Sequence, residues 1–294
     1  MVKGQIMQSL SGYYDILAQD GLEYRTRARG NFRAKKQAPL VGDWVDFKAQ
    51  NQQEGYILKI YPRKNTLVRP PVANVDTALV VSACVEPNFS SNLLDRQLVM
   101  LAINDIEPIL CFSKADLLNA KELKEMQAII DYYQKYYACC LTTQANLVDL
   151  EEILAKRQDE VMIVMGQTGA GKSTLLNRIK PTLQLETGEI SKALSRGKHT
   201  TRKVTLLKVG DNLIADTPGF SSFDILEIQK EELPLYYPDF VAYQSGCKFR
   251  GCLHINEPKC AVKEAVLAGE ILQSRYDNYL QFQEMIANKR PRYK

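Results

Sequence analysis

Residues 166–173 read Gly-Gln-Thr-Gly-Ala-Gly-Lys-Ser, and this octet restricts the chain more than any other feature. The glycines let backbone N–H groups close around a β-phosphate, Lys172 reaches the β and γ oxygens, and the Ser173 hydroxyl can ligate Mg²⁺. The flanks agree with that reading. The apolar run Val161–Met165 predicts a strand leading in, and Ser173–Lys180 predicts a helix leading out, ended by Pro181. A phosphate at that helix N-terminus meets unpaired N–H groups and the positive end of the helix dipole. Gly166, Gln167, Thr168, Gly169, Ala170, Gly171, Lys172, Ser173 and Thr174 are therefore the expected phosphate-side contacts, and Lys172 is also a catalytic candidate.

Two further motifs belong to the same site. Leu213–Asp216 followed by Thr-Pro-Gly219 reads as a strand ending in Asp-x-x-Gly, so that Asp216 holds Mg²⁺ through water and the Gly219 amide meets the γ-phosphate. Between it and the phosphate loop lies Arg196–Arg202, a basic polar loop of the kind that switches. Either Thr200 or Thr201 supplies the second hydroxyl to Mg²⁺. The base reader is Ser113-Lys114-Ala115-Asp116, directly after the apolar run Ile109–Phe112. Its Asp116 would accept from the ring N–H and exocyclic amine of guanine, and a strand C-terminus is where an open α/β sheet binds ligands. Ser113 departs from the asparagine usual there and loses an amide that braces the loop. A further stretch, Thr142–Ala145, follows Cys139–Leu141 and is placed to back the base.

The order of these motifs is unusual, because the base motif precedes the phosphate loop. The same sheet assembles if the original ends are joined and new ends opened elsewhere. The loop bearing Gly219 then leads straight into the C-terminal region, and a nucleotide-driven switch there would move that region.

Around this centre the chain changes texture twice. Residues 1 to about 70 carry short alternating stretches, such as Glu23–Arg29 and Trp44–Phe47, separated by glycines, as in a small all-β barrel. Period-two spacing puts Arg25, Arg27 and Arg29 on one strand face. Net charge is only +4, but six basic residues and no acid lie between Tyr24 and Lys36, and four more basic residues end the chain at Lys289–Lys294. Such patches fit nucleic acid, and small barrels of the OB type bind oligonucleotides on such a surface. After Pro70 and Pro71, the buried runs Ala78–Ala83 and Pro108–Phe112 alternate with helical patterns at Leu93–Ile103 and Ala120–Tyr137, which predicts an α/β unit with a mostly parallel sheet. The division is 1–70, 71–225 and 226–294. No run of eighteen apolar residues occurs and the N-terminus lacks a signal-peptide core, so a cytoplasmic location with no membrane contact is expected.

The last region carries Cys247, Cys252, His254 and Cys260 within fourteen residues, followed by amphipathic stretches at Ala261–Gln273 and Tyr276–Ala287. Three thiolates and one imidazole complete a tetrahedral shell of the kind structural zinc takes, with no position left for catalysis. Seven cysteines is an odd count that argues against a secreted disulfide framework. Cys84, Cys111, Cys139 and Cys140 sit in or beside apolar runs and read as core thiols.

Taken together, Val41–Val45 (Val-Gly-Asp-Trp-Val), Arg63–Leu67 (Arg-Lys-Asn-Thr-Leu), the permuted motifs, Gly197–Thr201 and the Cys-Cys-His-Cys cluster resemble the ribosome small subunit-dependent GTPase A (RsgA) family over essentially the full length. The resemblance implies a multidomain α/β chain: an N-terminal OB-fold β-barrel, a circularly permuted P-loop GTPase domain with a parallel sheet and flanking helices, and a C-terminal helical zinc-binding domain. It implies one structural Zn²⁺, Mg²⁺ with GTP, and a monomer that binds the small ribosomal subunit and its rRNA during late maturation, with subunit-stimulated hydrolysis to GDP.

Many GTPases place a glutamine directly after the Asp-x-x-Gly glycine to orient water. Here that residue is Phe220, so intrinsic hydrolysis should be slow. His199 in the basic loop is the candidate replacement, and the resemblance points to it as well. Two other readings stay open: an RNA-binding scaffold that holds GTP and scarcely hydrolyses it, and an ATPase or nucleotide kinase, against which Asp116 argues.

Overall fold

The computed structural model describes residues 1–30, 32, 37–68, 70–183, 204–216 and 228–289, with backbone alone at 183 and 216. The N-terminal barrel is built from β1 (Val2–Leu10), β2 (Tyr13–Ala18), β3 (Glu23–Ala28), β4 (Trp44–Asn51) and β5 (Glu54–Ile60). Ser11 and Gly12 both take positive φ (51° and 82°), which suits a hairpin turn whose twist matches the strands it joins. β1 pairs with β2, β2 with β3, β3 with β5 in parallel and β5 with β4, and β4 returns to β1, closing the sheet. Alternation then sends one face inward: Ile6, Ile16, Val45, Phe47 and Ile57 are all fully buried. This is the connectivity of an OB-fold. Pro70 and Pro71 lie at the turn of a short hairpin, β6 (Thr66–Val68) with β7 (Pro71–Ala73), beyond the barrel.

The middle unit runs β8 (Thr77–Ala83), α1 (Ser91–Ile103), β9 (Glu107–Ser113), α2 (Ala120–Tyr133), β10 (Ala138–Leu141), α3 (Val148–Ala155), β11 (Val161–Met165), α4 (Lys172–Ile179), β12 (Val204–Val209) and β13 (Asn212–Asp216). Its strands lie in the order β10-β9-β8-β11-β13-β12, parallel except β12. Every residue of β11 is buried, as parallel strands covered on both faces require. α2 starts on a capping box, Asn119 with Glu122, and stops at Tyr133 instead of reaching Tyr137. There the N–H groups of Tyr136 and Tyr137 both turn back to the Tyr133 carbonyl. β12 also pairs with β1, aligning Thr205 with Gln8 and Val204 with Ser9. Barrel and middle unit thus share one continuous eleven-stranded sheet among the described residues.

Among the described residues three α-helices follow: α5 (Pro238–Gln244), α6 (Ala261–Leu267) and α7 (Gln273–Ala287). The stretch expected to be helical to Gln273 breaks at Gly269 (φ 74°). Gly269 N–H donates to Val266 O and Glu270 N–H to Ala265 O, the paired bonds of a Schellman end. α7 is fastened to the middle unit by Arg275, whose guanidinium donates to Asp95 on α1 and, at 2.6 and 3.1 Å, to Asp239 on α5. Tyr133 donates to Asp95 and Tyr132 to Asp239, so both carboxylates are satisfied although fully buried. Among the described residues no helix is long and apolar enough to cross a membrane.

Candidate functional site

A parallel sheet delivers its strand ends to one edge, and here the sequence motifs arrive there together. Strand order reverses between β8 and β11, the switch point where open α/β sheets bind ligands. β11 runs into the phosphate loop, β9 into Ser113–Asp116, β10 into Thr142–Gln144, and β13 ends at Asp216 alongside β11. The loop glycines are demanded sterically. Gly166 has φ 139°, and a Cβ there would collide with the Val81 carbonyl of the adjoining strand. Gly171, at φ 89°, caps α4 and opens its N-terminal N–H groups toward the loop.

Lys172 donates from Nζ to the carbonyls of Gly166 and Gln167, each at 2.8 Å. Two of its three donors are thus committed within the loop, and burial lowers its pKa. Beside the loop lies a cavity of about 240 Å³ lined by Ser113, Asp116, Thr142, Gln144, Ala170 and Thr174 among others. Base-motif and phosphate-loop residues therefore share one wall. Ser113 makes the link: its hydroxyl, buried, donates to the Ala170 carbonyl at 2.7 Å. The bracing that loss of an asparagine amide put in question is carried by a shorter side chain reaching the loop backbone. Lys114 takes a left-handed φ of 63° and its ammonium reaches the Glu86 carbonyl after β8. Asp116 Oδ1 accepts the Gln144 N–H at 3.3 Å.

His199, Thr200, Thr201, Gly219 and Phe220 lie outside the described residues, as do Arg33, Lys35, Lys36 and 290–294. Sequence reasoning missed Arg178, whose Nη1 donates to the Thr143 carbonyl at 2.7 Å, and the Glu86 carbonyl; a lone arginine inside a helix carries no motif.

On the barrel, Arg25, Arg27 and Arg29 line a second hollow of about 490 Å³ with Tyr13, Lys48 and Tyr56. The Arg25 and Arg27 guanidinium carbons lie 5.8 and 4.4 Å from the centroid of the Tyr13 ring, and Tyr56 is 53% exposed. Charged planes and open rings on one surface suit stacking on bases beside a phosphate backbone.

In the C-terminal region the ligand atoms of Cys247, Cys252, His254 and Cys260 lie within 4.8 Å of one another. The Cys247 and Cys260 sulfurs are 3.9 Å apart, and His254 Nδ1 is 3.6 and 3.3 Å from them. Tetrahedral bonds of about 2.3 Å to sulfur and about 2.05 Å to nitrogen require roughly 3.8 Å between sulfurs and 3.6 Å between sulfur and nitrogen. The cluster fits one metal ion. Burial pushes the Cys252 thiol up to about 12, and a bound cation is what would favour its thiolate.

Comparison with known proteins fits this geometry. Residues 60–226 match the RsgA GTPase model and residues 3–57 the RsgA N-terminal domain model. The chain belongs to the RsgA GTPase family. It is 56% identical over 292 residues to the small ribosomal subunit biogenesis GTPase RsgA 1 of Lactiplantibacillus plantarum, covering 99% of this chain and 98% of that one. It is 54% identical to the RsgA of Limosilactobacillus reuteri over the whole of both chains. Among solved structures it is similar to YloQ, described as a circularly permuted GTPase, with 41% identity, a TM-score of 0.83 and coverage of 100% and 98%. Thermotoga maritima YjeQ gives 32% identity, a TM-score of 0.86 and coverage of 98% and 99%. Like its family, this chain is a GTP-hydrolysing enzyme whose base motif comes before its phosphate loop.

Proposed function

We propose that this GTPase acts on the small ribosomal subunit, assisting its late maturation in the cytoplasm as a monomer and cycling between GTP and GDP. The observation that carries the chemistry is the shared wall of the cavity, where Ser113 ties the base motif to the phosphate loop. The relatives named for small-subunit biogenesis support the partner, and the basic, aromatic barrel face supports contact with its rRNA.

In this reading Gly166–Thr174 hold the phosphates, with the α4 N-terminus facing their charge. Ser173, Asp216 and Thr200 or Thr201 would hold Mg²⁺, which would supply positive charge to the phosphate oxygens, and Lys172 offsets charge as the γ-phosphoryl transfers to water. Asp116 reads guanine, with Ser113 and Lys114 supporting its loop, and the Gly219 amide senses the γ-phosphate. His199 orients the attacking water in place of a glutamine at Phe220. Zn²⁺ is the ion of Cys247, Cys252, His254 and Cys260, and its role is structural because four protein ligands fill the shell. The units divide near residues 70 and 225.

The test is phosphate release from GTP and from ATP, each with and without purified small subunits, for the wild type, Lys172→Ala and His199→Ala. GTP-only turnover that subunits accelerate, lost in Lys172→Ala, supports the reading. Turnover that subunits leave unchanged refutes the partner. Unchanged stimulated turnover in His199→Ala removes that residue from the mechanism.

A further inference from the structure

We propose that Arg178 is a positioning residue for base selection, holding Asp116 in place through a single peptide plane; this rests on Asp116 being the base-reading carboxylate. Arg178 stands near the end of α4, the helix that starts in the phosphate loop, and it lines the base cavity. Its Nη1 donates to the carbonyl of Thr143 at 2.7 Å. The other half of that peptide unit is the Gln144 N–H, which donates to Asp116 Oδ1 at 3.3 Å. A peptide is planar, so holding the oxygen also holds the direction of the N–H on its far side.

The two bonds differ in strength in the sense the proposal needs. At 3.3 Å the Gln144–Asp116 bond is long, and nothing in its own length would fix the carboxylate. The Arg178–Thr143 bond is short and charge-assisted. Thr142, at the start of the loop, is held to β9 and the base motif, its N–H donating to Phe112 O at 2.7 Å and its carbonyl accepting Ala115 N–H at 3.3 Å. Beyond it the loop closes on itself, Thr143 Oγ1 accepting from Ala145 N–H at 3.2 Å and from Asn146 N–H at 2.9 Å. Residues 143–146 therefore form a compact turn anchored at Thr142, and Arg178 ties the Thr143–Gln144 peptide of that turn to α4. A carboxylate that must accept two parallel N–H groups from guanine depends on its plane, and one oxygen of that plane is steered by this chain of contacts.

The experiment uses the full-length protein and measures affinities for GDP, IDP and ADP by competition with a fluorescent GDP analogue, together with the analogue's dissociation rate. IDP lacks the exocyclic amine and so makes one bond to Asp116 where GDP makes two. Arg178→Ala is expected to weaken GDP about tenfold and to speed analogue release in proportion, as the loss of one charged hydrogen bond predicts. IDP should weaken less, so the GDP:IDP preference narrows. Arg178→Lys, which keeps one cationic donor, should recover part of that preference. In an Asp116→Ala background, Arg178→Ala should change GDP affinity little. An unchanged GDP:IDP ratio in Arg178→Ala, or full additivity with Asp116→Ala, would overturn the proposal while leaving Asp116 as base reader. Equal GDP and ADP affinities in the wild type would overturn the Asp116 reading and this proposal with it.

Discussion

Replacing Arg275 with Met should cost this chain a large part of its stability. The guanidinium is 2% exposed and stands between two carboxylates that are fully buried, Asp95 and Asp239. Removing the cation leaves Asp95 with Tyr133 and Asn278, and Asp239 with Tyr132, but neither with a counter-charge. Breaking one side of a buried pair costs about 3–5 kcal/mol, which is roughly a fifth or more of a typical domain's stability of roughly 5–15 kcal/mol. The methionine stem recovers some packing against Tyr237, whose ring lies 4.6 Å from the guanidinium carbon.

The assay is urea unfolding followed by circular dichroism, comparing Arg275→Met with the triple variant carrying Asp95→Asn and Asp239→Asn as well. The triple variant should regain about half or more of the loss, because it removes the unpaired charges and keeps the volume. Acid should narrow the single variant's deficit. Burial already raises the Asp95 pKa, and without the cation that carboxyl would bind a proton still more tightly folded than unfolded. Stability so gained is present at low pH and is lost as pH rises through the folded-state pKa. A loss below about 1 kcal/mol, within the range of an exposed ion pair, refutes the reasoning. The same network attaches α7 and α5 to α1 and α2, binding the C-terminal helices to the nucleotide unit.

Gly166→Ala should abolish GTP binding with little change in expression, because the added Cβ meets the Val81 carbonyl and the loop must move; equilibrium binding that matches the wild type would show the loop tolerates a side chain. Metal analysis should find one zinc per chain, and a Cys260→Ser variant or prolonged chelation should lower the melting temperature of the C-terminal helices; metal-free protein with unaltered melting would remove the structural role. Arg157 holds the Glu107 carboxyl below its ordinary value, so this pair stabilises the fold above about pH 4.3 and loses that contribution as pH falls through the lowered folded-state pKa. Glu107→Gln should therefore flatten the acid limb of the melting-temperature profile, and a superimposable limb would count against the pair.

Motif chemistry is local, and that is why it was readable. A phosphate loop needs glycines within a few residues of one lysine, and a metal cluster needs its four donors within a short reach, so Gly166–Ser173 and Cys247–Cys260 announce themselves in one dimension. The buried runs at β8, β9 and β11 were legible for a similar reason, since parallel strands covered on both faces are apolar at nearly every position. Their permuted order followed from reading the motifs along the chain. What only the tertiary structure decided are contacts between residues far apart in sequence whose types carry no signal. Arg275 falls between the two stretches expected to be helical and reads as one more charged residue, until the helix starts at Gln273 and α1 and α5 close over it. Arg178 acquires a role because the turn after β10 stands beside α4. The pairing of β1 with β12, which fuses barrel and nucleotide sheet, depends on the end of β1 beyond its β4 pairing (Val2–Gln5) meeting the edge strand β12 at Gln8 and Ser9, and backbone hydrogen bonds leave no mark on side-chain pattern. Ser113 shows both sides at once: the sequence placed it at the base motif, and the distance to Ala170 determined what its hydroxyl does there.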